Sequence, residues 1–270
     1  MVSPKSLCEL LARSLNMSDL PIRAVLFDLG GTLEDVWFDE TIQKTALKEL
    51  LNLLRKRIDC SALTGESLYA RITKGMAHYK TWRETHQREL DPEGVFRTFV
   101  LEGIPIPANI PVDFWETLAF HYESRFFYRE LRPETPTVLE ALKKRSLKLG
   151  VISNIMSRSL VPYRLKTCGI EHYFDVVLTS STFGIRKPNP AIFLKAVELL
   201  KVSPPEAIYI GDTLSRDVAG ARRAGFKKAI QIRSFFTSIS DSPEDREAPD
   251  LVIQSLLEVL SLFPSNGDTP

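Results

Sequence analysis

Three aspartates of this 270-residue chain lie at or shortly after the ends of short apolar runs, where they could contribute to one site. Asp28 ends the run 23–27, Asp212 follows the run 207–210, and Asp217 lies five residues farther on. Carboxylate oxygens are the ligands that Mg²⁺ prefers, and an ionised carboxylate can attack phosphorus to form an aspartyl-phosphate. These residue types therefore favour metal-assisted phosphoryl transfer, with Asp28 as nucleophile and with Asp28 and Asp212 as metal ligands.

Other polar residues in comparable positions fit the same chemistry. Ser153 and Asn154 follow the apolar run 147–152, and Lys187 lies in a loop before a helical pattern. A hydroxyl and backbone amides can bind phosphoryl oxygens, while a lysine supplies positive charge. The pair Gly30 and Gly31 lets the backbone approach a ligand closely.

The order of apolar patterns predicts how these residues are brought together. Short buried runs alternate with helical patterns, which predicts an α/β fold with a doubly wound parallel sheet. Ligands of such sheets bind beyond the carboxyl ends of the strands, where the polar residues lie. The predicted strands are 23–27, 147–152, 174–178, 207–210, 229–232 and 251–253, and the predicted helices are 137–144, 157–168, 191–200 and 215–224.

One long interval, from Trp37 to Glu130, shows no convincing strand. Its helical patterns cover 40–58, 66–89, 92–101 and 111–128, which predicts an all-helical insertion after the first strand. The predicted division is an N-terminal extension 1–21 with a short amphipathic helix, an α/β core formed by 22–35 and 132–263, a helical cap 36–131, and a flexible tail 264–270.

Composition excludes several classes of protein. The 35 basic and 34 acidic residues nearly cancel, which argues against nucleic acid as a partner. No stretch approaches the roughly 18 apolar residues of a membrane span. The three cysteines are far apart and suit reduced thiols in the cytoplasm. We expect a cytoplasmic monomer or homodimer that acts on a small phosphorylated substrate.

Four segments, in order, resemble the motifs of the haloacid dehalogenase (HAD) superfamily, and in particular its phosphatase-like members with a helical cap inserted after the first motif. The segments are Phe27-Asp-Leu-Gly-Gly-Thr-Leu33, Val151-Ile-Ser-Asn154, Lys187-Pro-Asn-Pro190 and Ile210-Gly-Asp-Thr-Leu-Ser-Arg-Asp217. The resemblance covers about residues 22 to 260. It implies a Rossmann-like core and an activity that requires Mg²⁺.

The same resemblance implies a role for each matching residue. It makes Asp28 the nucleophile and Lys187 the catalytic charge anchor. The implied Mg²⁺ ligands are Asp28, the Gly30 carbonyl and Asp212. The implied phosphate-binding residues are Thr32, Ser153, Asn154 and Lys187, and Asp217 supports Lys187 or the metal.

One position departs from the family pattern. Most phosphatases of the family carry a second aspartate, the general acid and base, where this chain has Gly30. A glycine keeps the backbone carbonyl and loses the acid, which is typically worth about 10²–10⁴-fold in rate. Phosphates with poor leaving groups should suffer most from this loss.

Several alternatives remain open at this point. Another acid could replace the missing one, the candidates being Glu34, Asp35, His78, His86 and Glu89. Lys74 could form a Schiff base as in phosphonatase-like relatives. The other two alternatives are a dehalogenase-like hydrolase and a catalytically weak binding or regulatory protein. In the predicted cap, Arg71 or Arg83 could bind an anionic substrate, although a helix surface routinely carries such charges.

Overall fold

The computed structural model describes residues 20–241 and 247–263. The predicted N-terminal helix and the predicted flexible tail lie outside these ranges. Within them, no helix is both long and apolar enough to cross a membrane. Eight strands form there: β1 Ala24–Phe27, β2 Glu34–Trp37, β3 Tyr128–Leu131, β4 Lys148–Ser153, β5 Val176–Thr179, β6 Ala207–Gly211, β7 Lys228–Ile232 and β8 Leu251–Ile253.

Six of these strands form one parallel sheet in the order β5-β4-β1-β6-β7-β8. The predicted fold class, a doubly wound parallel sheet, is therefore confirmed. Strand β1 lies between β4 and β6, and all four of its residues are buried. Its apolar run is continuous because helices cover both faces of the sheet.

The helices fall into two groups, those of the long insertion and those that follow it and cover the sheet. Those of the insertion are α1 Glu40–Leu54, α2 Gly65–His86, α3 Pro92–Val95 and α4 Val112–Arg125. The others are α5 Thr135–Lys144, α6 Leu160–Thr167, α7 Ser180–Phe183, α8 Pro190–Leu200, α9 Ala219–Arg223 and α10 Thr237–Ser240. Short 3₁₀ turns occur at Glu171–Tyr173, Pro204–Glu206 and Leu256–Leu262.

Alternate residues of β1 point into two different cores. Val25 and Phe27 belong to the cluster that contains the apolar side chains of α5 and α6. Ala24 and Leu26 pack with those of α8 on the opposite face. The helices of the insertion build a third cluster, centred on residues such as Leu50. This arrangement leaves the carboxyl edge of the sheet facing the insertion.

The predicted helices 40–58, 66–89 and 111–128 end three to four residues early, at Leu54, His86 and Arg125, and three others are altered by local contacts or wider turns. The predicted helix 157–168 begins only at Leu160, because Glu116 accepts hydrogen bonds from the three residues before it. The predicted helix 92–101 divides into α3 and a wider π-type turn over Phe96–Val100. A similar wide turn over Leu214–Val218 precedes α9.

The expectation that no strand lies between Trp37 and Glu130 is wrong. Strands β2 and β3 pair antiparallel at the two junctions of the insertion, with Trp37 opposite Tyr128. Both strands are only four residues long and carry charged residues, so their apolar alternation is too short to detect. The insertion is therefore helical but is joined to the core by a two-stranded ribbon.

A buried carboxylate holds this ribbon against the core. The side chain of Glu34 in β2 is 1% exposed, and its Oε1 accepts a hydrogen bond of 2.7 Å from Nε of Arg164 in α6. Its Oε2 lies 3.5 Å from Nη1 of Arg129 in β3. A buried carboxylate is tolerated only when it is paired in this way, so the pair with Arg164 fixes the ribbon to α6.

We expect Glu34→Gln to lower the free energy of unfolding by about 3–5 kcal/mol, because it leaves two guanidinium groups without their shared anion. Urea unfolding measures this loss. Glu40→Gln is the matched control, since Glu40 pairs with Lys44 on the surface and its removal should change little. Equal losses in the two variants would contradict the structural role of Glu34.

Candidate active site

The ammonium of Lys187 lies at the centre of the predicted site and is almost fully buried. Its Nζ lies 3.0 Å from Asp28 Oδ1 and 2.7 Å from Asp217 Oδ1. It also donates to the carbonyl of Ile152 and to the hydroxyl of Tyr209, both at 2.9 Å. The structure thus brings together residues in or just after the carboxyl ends of β1, β4 and β6, as the sheet topology requires.

Asp28 is the member of this cluster that remains accessible. Its side chain is 14% exposed and lines a cavity, while the amide of Leu29 donates to its Oδ1 at 2.7 Å. Burial raises the pKa of the Asp28 carboxyl, although the Lys187 ammonium opposes that rise. A carboxylate that reaches a cavity and has one side held by a cation is positioned for attack on a bound ligand.

Asp212 lies beside Asp28 at the same edge. Its Oδ2 accepts a 2.6 Å hydrogen bond from the Ser234 hydroxyl. Burial and the charges of Asp217 and Asp28 raise the pKa of Asp212 to about 8. The three aspartates offer carboxylate oxygens that all lie within 4.8 Å of one another. This set fits a hard divalent cation, whose charge would offset their repulsion.

Asp217 has little remaining capacity for a metal. Besides Lys187, its carboxylate accepts hydrogen bonds from the amide and hydroxyl of Thr213 and from the Tyr209 hydroxyl. Burial opposes ionisation, but Lys187 and Arg216 outweigh it and lower the pKa of Asp217. Its contacts are those of a support for Lys187.

The predicted phosphate-binding residues differ in their contacts. The amide side chain of Asn154 is bonded to the backbone of Lys187 on both sides, at 3.0 and 2.9 Å, so it orients the lysine loop. Ser153 lines the cavity. The hydroxyl of Thr32 is fully buried and has no hydrogen-bond partner among the described residues.

The two adjacent glycines differ in how strictly their surroundings exclude a side chain. Gly31 has a φ of +84°, and a Cβ there would lie 2.2 Å from Asp212 Oδ2. Gly30 has no such backbone constraint, and a Cβ there would lie 3.1 Å from Nη1 of Arg129. The guanidinium of Arg129 therefore lies directly beside the position from which the family's general acid would extend.

A cavity of about 310 Å³ connects this edge of the sheet with the insertion. The core contributes Asp28, Ser153 and Lys187 to its lining, and the insertion contributes Glu123 and Arg129.

None of the sequence-predicted acid candidates lines this cavity. Glu34 is bound to Arg164, and Asp35 pairs with Arg132 at 2.9 Å. Glu89 accepts hydrogen bonds from Tyr79 and Arg186. His78, His86 and Lys74 also lie outside the lining residues.

Sequence reasoning missed several residues that the fold brings to the site. Ser234 follows β7, so the rule that located Ser153 would also have found it. Glu123 lies in α4, where its two oxygens accept the amides of Met156 and Ser157 at 2.9 and 2.7 Å. That contact joins the insertion to the loop after β4. Because the two segments are far apart in the chain, no local sequence pattern predicts it.

The model of the haloacid dehalogenase-like hydrolases matches residues 22–225. This chain belongs to that family. A phosphoglycolate phosphatase from Aquifex aeolicus is 35% identical over 230 residues, which cover 83% of this chain and 91% of the relative. A phosphoserine phosphatase from Thermus thermophilus is 33% identical over 252 residues, with 90% and 93% covered. The predicted resemblance to phosphatase-like members is thereby confirmed, and the chain is a hydrolase.

The fold alone does not separate the reactions of this family. A solved 2-haloacid dehalogenase from Pseudomonas syringae pv. Tomato superposes with a TM-score of 0.59 at 27% identity, covering 90% of this chain and all of the other. The reaction of this chain therefore has to be inferred from the side chains of its site.

We expect Gly31→Ala to reduce hydrolysis by at least about 10²-fold, because the added methyl displaces Asp212 and misplacements of this size cost that much. Gly103→Ala is the matched control: Gly103 has a φ of +76° and open space around its missing Cβ. Both variants should lose about 1–2 kcal/mol of stability from the left-handed backbone. Phosphate release from p-nitrophenyl phosphate should fall only in Gly31→Ala, and equal activities would contradict the close contact with Asp212.

Proposed function

We propose that this hydrolase cleaves small phosphate monoesters in a Mg²⁺-dependent reaction through an aspartyl-phosphate on Asp28. The observation that carries the proposal is the carboxylate of Asp28, which reaches the cavity beside Lys187 and two further aspartates. A cluster of three aspartates with one buried ammonium suits the transfer of a dianionic phosphoryl group better than a metal-free displacement of halide.

Asp28, Asp212 and the carbonyl of Gly30 would hold the ion. When bound, Mg²⁺ reduces the repulsion between the Asp28 carboxylate and the phosphate dianion. The raised pKa of Asp212 supports this assignment, since the crowded carboxylates are stabilised when a cation lies between them.

The remaining residues of the site bind and orient the phosphoryl group. The Ser153 hydroxyl donates to a phosphoryl oxygen at the cavity wall, and Lys187 supplies positive charge beside the nucleophile. Asn154 orients the lysine through its backbone. The unpartnered hydroxyl of Thr32 lies in the same loop as Asp28 and supports a polar role for that loop.

The leaving group receives no proton from position 30. In the place of an acid, the guanidinium of Arg129 lies where a side chain from this position would extend. Arginine keeps its proton at all relevant pH values and donates hydrogen bonds without transferring the proton. Leaving groups that are stable as anions therefore suit this site.

The proposal also covers the location of the protein, its oligomeric state and its partners. We expect a monomer or homodimer in the cytoplasm, without nucleic acid or membrane as a partner. The near-zero net charge and the free thiols of Cys60 and Cys168 support this expectation.

We expect Asp28→Asn to abolish turnover, because an amide cannot attack phosphorus. The fold should survive, since the burial of Asp28 disfavours its charge. Phosphate release from acetyl phosphate and thermal melting measure the two effects. Turnover at the wild-type rate in Asp28→Asn would refute the mechanism. Absence of turnover in the wild-type protein itself would favour a binding protein on the same scaffold.

The metal is tested on the same samples. Millimolar Mg²⁺ should raise the melting temperature of the wild-type protein through linkage, and Asp212→Asn should weaken that rise. Ser215→Ala is a suitable control because Ser215 has no side-chain contact with the three aspartates among the described residues.

We expect the wild-type rate to depend steeply on the pKa of the leaving group, with aryl and acyl phosphates cleaved far faster than alkyl phosphates. In Gly30→Asp the new carboxylate would pair with Arg129, which favours its ionised form. The variant should therefore raise alkyl-phosphate turnover by less than the roughly 10²–10⁴-fold of a free acid. A shallow dependence in the wild-type protein would show that another residue donates the proton.

A further inference from the structure

The cavity is lined by more positive than negative side chains. Six basic residues face two acidic ones among the described residues of its lining. The basic residues are Lys80, Arg83, Arg129, Arg186, Lys187 and Arg216, and the acidic residues are Asp28 and Glu123. One phosphoryl group beside Lys187 does not account for this excess.

Four of the basic residues already have carboxylate partners. Lys187 pairs with Asp28, Arg129 with Glu34, Arg186 with Glu89, and Lys80 with Glu84. Arg83 and Arg216 differ from them. Within the described parts of the chain, neither has a carboxylate oxygen within 4.0 Å.

These two guanidinium groups, which form no ion pair within 4.0 Å among the described residues, come from different parts of the chain. Arg83 lies near the end of α2 in the insertion, and Arg216 lies in the wide turn after β6. Burial lowers the pKa of Arg83, and the positive charge of Arg216 lowers it further. Two like charges that face one cavity are stabilised when an anion lies between them.

Glu123 does not remove this excess of charge. It is the one carboxylate of the insertion in the lining, as far as the structure describes it. Its two oxygens accept the backbone amides of Met156 and Ser157. Those bonds hold it against the loop after β4, so neither arginine has a carboxylate partner there; Arg83 lies over the ring of Tyr79 instead.

We propose that Arg83 and Arg216 together bind a second anionic group of the substrate, a carboxylate or a phosphate, while the first phosphoryl group lies at Asp28. The substrates are then phosphate monoesters with an acidic group a few atoms from the ester, a size that a cavity of about 310 Å³ accommodates. This inference rests on the proposed phosphatase function and names the substrate class of the same site.

The cap arginines singled out from the sequence are separated by the structure. Arg83 lines the cavity, whereas the guanidinium of Arg71, three turns earlier in α2, donates to the carbonyl of Glu102 at 2.8 Å. Arg71 therefore provides a matched control for Arg83 on the same helix.

The experiment measures binding in the Asp28→Asn background, which holds ligands without turning them over. Calorimetry in Mg²⁺ compares phosphoglycolate and propane-1,3-diyl bisphosphate with propyl phosphate, whose tail is neutral. We expect at least one of the two acidic ligands to bind about 10- to 100-fold more tightly than propyl phosphate, the range of a charge-assisted hydrogen bond. The comparison between the two identifies the preferred acidic group.

Substitution then assigns that preference to the arginines. Arg83→Met and Arg216→Met should each remove most of it, Arg83→Lys should retain part of it, and Arg71→Met should leave it intact. Equal affinities for all three ligands, or a preference that survives both Met variants, would overturn the proposal. The ligand comparison decides the question even where a variant fails to fold.

Failure of this inference differs from failure of the proposed function. Binding needs no catalysis, so equal affinities would contradict only the second anion site. A wild-type protein that hydrolyses none of the three ligands and no aryl phosphate would contradict the phosphatase function, while the binding comparison would still stand.

Discussion

The buried ammonium of Lys187 is the contact on which the geometry of the site depends. Asp28 and Asp217 lie within 3.0 Å of it, and the two carboxylates would otherwise repel each other in a region of low dielectric. Its bond to the carbonyl of Ile152 ties the lysine to the end of β4. One cation thus joins the ends of three neighbouring strands, and Asn154 keeps the loop that carries it in place.

The sheet edge and the insertion contribute different residues to the cavity. The sheet edge provides three aspartates and a lysine, to which we assign the phosphoryl end of the ligand. The insertion adds Glu123, which binds the loop after β4, and arginines that face the cavity from above the edge. In the function that we propose, group transfer belongs to the sheet edge and selection of the ligand to the insertion. The ribbon of β2 and β3 joins these two parts of the chain.

The sequence predicted the core better than it predicted the surroundings of the cavity. Buried parallel strands such as β1 are continuous apolar runs, so they and the polar residues after them are visible without a structure. The four-residue strands β2 and β3 are not. Their alternation sends Glu34 inward to Arg164 and leaves Asp35 with Arg132, so neither reaches the cavity. Which arginine lacks a partner depends on contacts between distant segments, which no local pattern records.

The two adjacent glycines of the first motif set different limits on how this lineage can change. At position 31 any side chain meets Asp212, so every substitution there disturbs the carboxylate cluster. At position 30 the nearest obstacle is the tip of a flexible arginine side chain. An aspartate at position 30 therefore needs only a small shift of the Arg129 guanidinium, with which it then pairs. Position 30 is thus open to a carboxylate, whereas position 31 admits no side chain without moving Asp212.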